Sequence, residues 1–328
     1  MKKTALILLF FQITVISFSQ VIKGTISDKK TKSAIDYASV YINGTFIGTY
    51  TDENGNFELD ISKSPSMPVS ISAIGYYSVT LDEYSVSKPL IISLEPKIFE
   101  LQEVVIKAKA IDRQRRANMV IFRNEFLGTT DNGRMCDILN EKDITFNYGS
   151  DRDTLKAYAS KPILIENRAL GYKITYYLDA FEFYRKEQSF FFKGNMVFTE
   201  DLTSDESKQQ FYTKKRQYAY IGSRMHFFRT LWTNSLGSTG FDVKNPAGIK
   251  LNINQYVFAD KNGKYLKNNT SLDLYYYSRF RTSSIIFLKD KVYFYGNGYY
   301  DPAGILWEGR LAMQRVGDWL PYEYIYNK

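Results

Sequence analysis

Ala38-Ser39-Val40-Tyr41-Ile42-Asn43-Gly44, then Gly48-Thr49, then Thr51-Asp52-Glu53-Asn54-Gly55-Asn56-Phe57 is the stretch on which the fold turns. Ala38, Val40 and Ile42 point one way and Tyr37, Ser39 and Tyr41 the other, the two-residue period of a strand. Asn43-Gly44 and Asn54-Gly55 supply the positive-φ residues that tight hairpins need. Outward from this stretch the pattern repeats. Val21 to Asp28 alternates and breaks into a polar turn; Phe57, Leu59 and Ile61, then Val69, Ile71 and Ala73, then Ile91 to Leu94, and last Val104 with Ile106 follow as short strands with no helical period. Strands of this length and spacing predict an antiparallel sandwich over residues 20–109.

Gly24 and Asp28, Ala38-Ser39-Val40, Gly48-Thr49, the run Thr51 to Phe57, Ile74-Gly75-Tyr76, Leu94, and Leu101 to Ile106 together resemble the carboxypeptidase-regulatory-like domain. That resemblance implies a transthyretin-like seven-stranded β-sandwich. It is the accessory domain beside zinc carboxypeptidases, and also the N-terminal extension of TonB-dependent nutrient receptors. Peptidase activity there belongs to a separate zinc domain with two histidines and a glutamate. This chain has one histidine and one cysteine, so it is not a zinc carboxypeptidase, and it has neither an intramolecular disulfide nor a Cys-rich metal cluster. Receptor function is excluded by size, because a barrel of about 22 strands of about 9–11 residues needs more chain than follows residue 109.

The first 19 residues read as a signal peptide. Lys2 and Lys3 precede a 14-residue apolar run, Ala5 to Phe18, too short to span a bilayer, and cleavage is expected between Ser19 and Gln20. An exported protein of a Gram-negative bacterium follows, periplasmic or associated with the outer membrane. Removing the leader takes two lysines from a net charge of +8, leaving +6, a modest basicity without a basic-aromatic nucleic-acid motif. No nucleic-acid partner and no cofactor are expected.

Residues 110–120 read as a linker with a short helix beginning near Asp112, in which Arg113, Arg115 and Arg116 are candidates to meet phosphate or lipopolysaccharide; a solvated boundary is the plainer reading. The remainder, 121–328, reads as a strand-rich α+β domain, so the chain is mainly β. Tyr172, Ile174, Tyr176 and Leu178 share one phase and Phe181 and Phe183 the other, which predicts a bulge near Asp179-Ala180. Phe190 to Phe198 should pair with this strand across Arg185 to Gln188. Tyr218, Ile221, Met225, Phe228, Trp232 and Leu236 recur at three- and four-residue steps and predict one long amphipathic helix, stopped by Gly237 and Gly240. Met313 to Leu320 reads as a short final helix ended by Pro321. Phe126-Leu127-Gly128, Cys136, Ile165-Glu166-Asn167, Leu170-Gly171-Tyr172, Tyr220-Ile221-Gly222-Ser223, His226-Phe227, Gly240-Phe241 and Leu320-Pro321-Tyr322 resemble the region that follows the same sandwich in a group of exported bacterial proteins, and this likeness implies no activity.

Candidate chemistry is sparse. His226 could serve as base for Ser223 or Cys136, yet neither partner lies in a nucleophile elbow, and a structural imidazole and a buried core thiol are the competing readings. Asp179 with Glu182 and Asp301 with Glu308 are the acid pairs to test for glycosidase spacing. Asp52, Asn54 and Asn56 imitate the start of a calcium loop, but Lys63 stands where such a loop needs glutamate. Tyr76 and Tyr77 are either a ligand platform or edge packing after Gly75. With 27 tyrosines, 23 phenylalanines and three tryptophans, the chain reads as a non-catalytic envelope protein. Its sandwich docks or braces a partner and its second domain binds protein or glycan. A hydrolase with its site in 121–328 is the alternative, and a small outer-membrane β-barrel of eight strands the second.

Overall fold

The computed structural model describes residues 20–64, 67–97, 108–149, 153–200, 203–278 and 280–327, the side chains of 108–112 aside. The leader with Ser19, and the strand expected at Val104 and Ile106, lie outside these residues. The described chain is mainly β, with strands in five separate sheets and four helices.

Seven short strands make the N-terminal sandwich: β1 (Val21–Asp28), β2 (Ser39–Ile42), β3 (Gly48–Tyr50), β4 (Asn56–Asp60), β5 (Val69–Ser72), β6 (Val79–Leu81) and β7 (Leu90–Leu94). They form two sheets, ordered β4-β1-β7 and β3-β2-β5-β6. The alternation read from the sequence sets the inner faces: Ile22 and Ile26 of β1, Phe57 and Leu59 of β4, Val40 and Ile42 of β2, and Ile71 of β5 close one core. One pair departs from the antiparallel expectation. β7 runs parallel to β1, because the chain crosses from one sheet to the other through β5 and β6 before it returns.

The next part packs α1 (Ala108–Phe126) and the single-turn α2 (Asp131–Arg134) with an antiparallel sheet of β8 (Cys136–Ile138), β9 (Ile144–Tyr148), β10 (Thr154–Ala159), β11 (Ile163–Asn167), β12 (Tyr172–Tyr184) and β13 (Ser189–Glu200). The short helix expected in a linker at 110–120 is part of α1, 19 residues long. Met119, Phe122 and Phe126, at three- and four-residue steps, drive it onto the sheet, with Phe122 4.8 Å from Phe181 and Phe126 4.8 Å from Tyr176 between ring centroids. β12 is the spine: β13 pairs along one edge, while β11 and β10 share the other. Its register shifts between Leu178 and Ala180, the bulge that the change of apolar phase demanded.

The last part contains α3 (Glu206–Tyr220), α4 (Arg224–Trp232), β14 (Phe241–Lys244), β15 (Val257–Asp260), β16 (Gly263–Leu266), β17 (Leu272–Tyr276), β18 (Ser283–Phe287), β19 (Val292–Phe294) and β20 (Ile305–Gly309). Sheets β14-β17-β18-β20 and β15-β16-β19 share a core with Phe227, Phe228 and Leu231 of α4. The expected single long helix is two helices. Ile221 is extended, Gly222 has φ +71°, and Ser223 caps the second segment. The apolar recurrence across the break is real, but it serves two cores, Tyr220 and Met225 in one, Phe228 in the next. The final helix expected at 313–320 is reduced to single 3-10 turns at Arg310–Met313 and Val316–Asp318. No sheet of the described residues closes on itself, which removes the eight-stranded barrel. No described helix is long and apolar enough to cross a membrane.

Candidate functional site

Asn43-Gly44-Thr45, the turn after β2, docks the sandwich onto the rest of the chain. Gly44 N–H donates to the Met196 carbonyl at 2.9 Å, Phe198 N–H donates to the Thr45 carbonyl at 2.9 Å, and Met196 N–H donates to Asn43 Oδ1 at 2.9 Å. The Gly44 carbonyl accepts from Tyr322 N–H, and a Cβ on Gly44 (φ +74°) would lie 2.6 Å from the Tyr322 ring. The outer face of β2 is covered as well: Tyr41 stacks on Tyr177 at 5.2 Å, and the Tyr177 hydroxyl donates to Ser39 Oγ. All four residues of β2 are therefore buried, against the half-buried strand its alternation predicts.

Beside this junction opens a cleft of about 490 Å³, within the range of ligand sites. The sandwich contributes Pro68, Thr80 and Asp82; β13 contributes Phe191 to Met196; the last part contributes Arg224, Lys289, the Gly298–Ala303 loop, Trp319 and Tyr322. Gly298, at φ +89°, turns that loop so that Tyr299 joins the sandwich core and Tyr300 stacks on Phe228 at 4.5 Å. Burial raises the phenol pKa values of Tyr299 and Tyr322 well above the ordinary range, so neither ionises near neutrality.

The charged groups around the cleft are largely engaged. Lys289 pairs with Asp301 at 2.7 Å, and the Arg224 guanidinium donates to the Leu311 and Gln314 carbonyls. Asp318 accepts from Thr130 and Asn132; burial outweighs these bonds and raises its pKa. Such an arrangement offers aromatic faces and a few fixed polar groups, with no nucleophile held against a base. A larger depression, about 720 Å³, follows the outer side of α3 from Glu206 to Ile221, but one helix alone lines it and nothing converges on it.

Of the residues singled out from the sequence, Ser223 and Asp301 line the cleft and the others are dispersed. His226 is mostly buried among Tyr220, Phe241 and Tyr276, and its Nδ1 accepts from Gly222 N–H at 3.0 Å. Burial, then the Arg229 charge, lowers its pKa to about 4, so it is neutral. Ser223 Oγ accepts from the His226 backbone N–H as helix cap, and no described hydrogen bond joins it to the imidazole. Cys136 sits in the core against the Asn132 carbonyl, its thiol pushed up to about 12 by burial.

Asp179 faces Lys97 at 3.7 Å, Glu182 is bound by Lys156 and Tyr184, Asp301 caps a turn, and Glu308 is exposed on β20; of these four acids Asp301 alone lines the cleft. Tyr76 donates to Asp28 at 2.9 Å, while Tyr77 is half-exposed with the Lys97 ammonium over its ring. Arg115 donates to the Ile144 and Glu141 carbonyls and so braces α1 against the start of β9. Arg113 and Arg116 are exposed on α1. Asp52 accepts from Asn54 and Asn56 in the turn between β3 and β4, which is not the expected hairpin because these two strands lie in different sheets, and no group of three or more potential ligands fit for a metal occurs among the described residues.

The cleft residues Phe191, Phe192, Tyr299, Trp319 and Tyr322 were not among the candidates from sequence. One signal pointed at Tyr299: the Tyr-Gly-Asn-Gly-Tyr-Tyr loop of residues 295–300, too aromatic for a plain connection. No curated protein matches the chain. Residues 22–106, which contain the strands of the sandwich just described, match the family model of the CarboxypepD_reg-like domain, and these strands form a β-sandwich module of that family.

Proposed function

We propose that the chain is an exported, non-catalytic envelope protein whose sandwich docks and braces, and whose junction cleft binds protein or glycan. The observation that carries this reading is the cleft itself: sandwich, central sheet and C-terminal part each supply a wall, so it exists only when all three are assembled. The buried phenols and engaged charges favour holding a ligand over transferring a proton to it. The match at residues 22–106 to an accessory-type module supports a bracing role for the sandwich.

A photo-crosslinking residue placed at Phe191, in the full chain expressed in its native envelope, tests the reading. A discrete adduct, absent when the probe is moved to exposed Tyr37 on the sandwich, is the expected result. Hydrolysis of a peptide or oligosaccharide by purified protein, lost in Asp301→Asn, would replace this reading with the hydrolase.

A further inference from the structure

β13 runs along the cleft as an edge strand, and only part of its outer edge is covered. Met196 and Phe198 turn their backbone groups away from β12, toward Gly44 and Thr45. The bulge lies in β12 and β13 is uninterrupted, so strand alternation carries the same outward phase to Gly194, Phe192 and Phe190. Among the described residues no backbone hydrogen bond reaches that edge at these three positions. Phe191, Phe192, Lys193 and Gly194 line the cleft, and Thr80 of β6, itself an edge strand, lines the same cleft.

We propose that the cleft binds an extended segment of a partner polypeptide, which adds as a strand to the β13 edge from Phe190 to Gly194. This rests on the reading of the cleft as a binding site and narrows its ligand from protein or glycan to a peptide strand. Outward N–H and C=O groups recurring every second residue, about 6.8 Å apart, are matched by another strand, which carries the same repeat. Asn43-Gly44-Thr45 already uses this edge in that way, and the incoming segment continues the same interface toward the start of β13.

Alternation supplies the side-chain specificity. Phe192, 6.1 Å from Trp319, presents an aromatic floor on one face of the strand, and Phe191, 50 % exposed, with Lys193 presents the other. Acids and bases are balanced around the cleft, so the segment is of low charge with apolar residues at alternate positions. A second copy does not fit the role. Its β13 would be recessed behind the same sandwich and Gly298–Ala303 loop, whereas a free extended segment reaches in.

The test uses the full chain from Gln20 and displayed random peptides of about twelve residues, long enough to span the five edge positions. Peptides it retains are synthesised and N-methylated one residue at a time. The expected result is alternation: methylation at every second residue weakens binding by about thirtyfold or more, and at the intervening residues by less than about threefold. Bound peptide should slow amide exchange at Phe190, Phe192 and Gly194 by about tenfold or more, and Phe191→Ala should weaken binding without moving the thermal midpoint. Methylation effects without alternation, or protection confined to other segments, overturn the proposal. Oligosaccharides that protect the cleft when no peptide does overturn it while leaving the binding reading intact. Failure of both ligand classes to protect the cleft removes both, and concentration-dependent dimers that bury the β13 amides would assign the edge to a second copy.

Discussion

At the scale of single residues, His226 shows how a catalytic residue type is committed to structure. Its Nδ1 accepts a backbone N–H at the break between α3 and α4, a bond only the neutral ring can make. The folded pKa of about 4 lies below the ordinary value of 6.5, so between these values the unfolded chain binds the additional proton. The contribution to stability is complete above about pH 6.5 and is lost as pH falls toward 4, by roughly 2–3 kcal/mol. Denaturant titrations at pH 7 and pH 4.5 check this: His226→Gln, which does not titrate, should lose less stability than the parent over that interval. An equal loss in both proteins would show that the imidazole is not the linked group. Cys136 follows the same logic, with a buried thiol held protonated at neutral pH.

At the scale of elements, apolar period and backbone stereochemistry diverge over residues 206–232. The side-chain pattern continues through Gly222, but the backbone there is left-handed and the Tyr276 ring fills the space a Cβ would take, 2.7 Å away. Gly222→Ala should therefore cost about 2–4 kcal/mol, from the left-handed conformation and the displaced ring together. Gly237→Ala is the contrast, since nothing lies within 4 Å of its added Cβ and its φ is not positive. Urea midpoints measure both, and a Gly222→Ala protein as stable as the Gly237→Ala one would mean that the two helices can fuse. In β12, by contrast, pattern and backbone agree, because a bulge lets both phases of the strand face one core.

At the scale of the molecule, the sandwich is held by more than its turn. Lys97 and Asp179, 16 % and 15 % exposed, face each other at 3.7 Å, and Lys97 also donates to the Leu178 carbonyl beside the bulge. Desolvation lowers the Lys97 pKa against the opposing pull of Asp179, and among the described residues Asp179 Oδ1 has no hydrogen-bond partner. Lys97→Met leaves a mostly buried carboxylate without its counter-ion and should cost about 2–4 kcal/mol. Lys97→Met combined with Asp179→Leu should recover most of that loss, read as a coupling energy in a double-mutant cycle. Additive losses would place the two charges outside each other's influence.

The amino-acid sequence by itself determined the local features: the sandwich strands, its Asn-Gly turns, the β12–β13 hairpin and the bulge at Asp179 all follow from period and turn chemistry acting over a few residues. It also removed two-histidine zinc chemistry, by counting. Tertiary structure alone decided that the outer face of β2 is buried, that Asn43-Gly44-Thr45 is a docking element as well as a turn, and that Tyr299, Trp319 and the β13 edge meet in one cleft. The physical reason is range. Periodicity records which way a side chain points relative to its own backbone, whereas a cleft is made by the unsatisfied edges of elements more than a hundred residues apart, and nothing in any one of them encodes its neighbour.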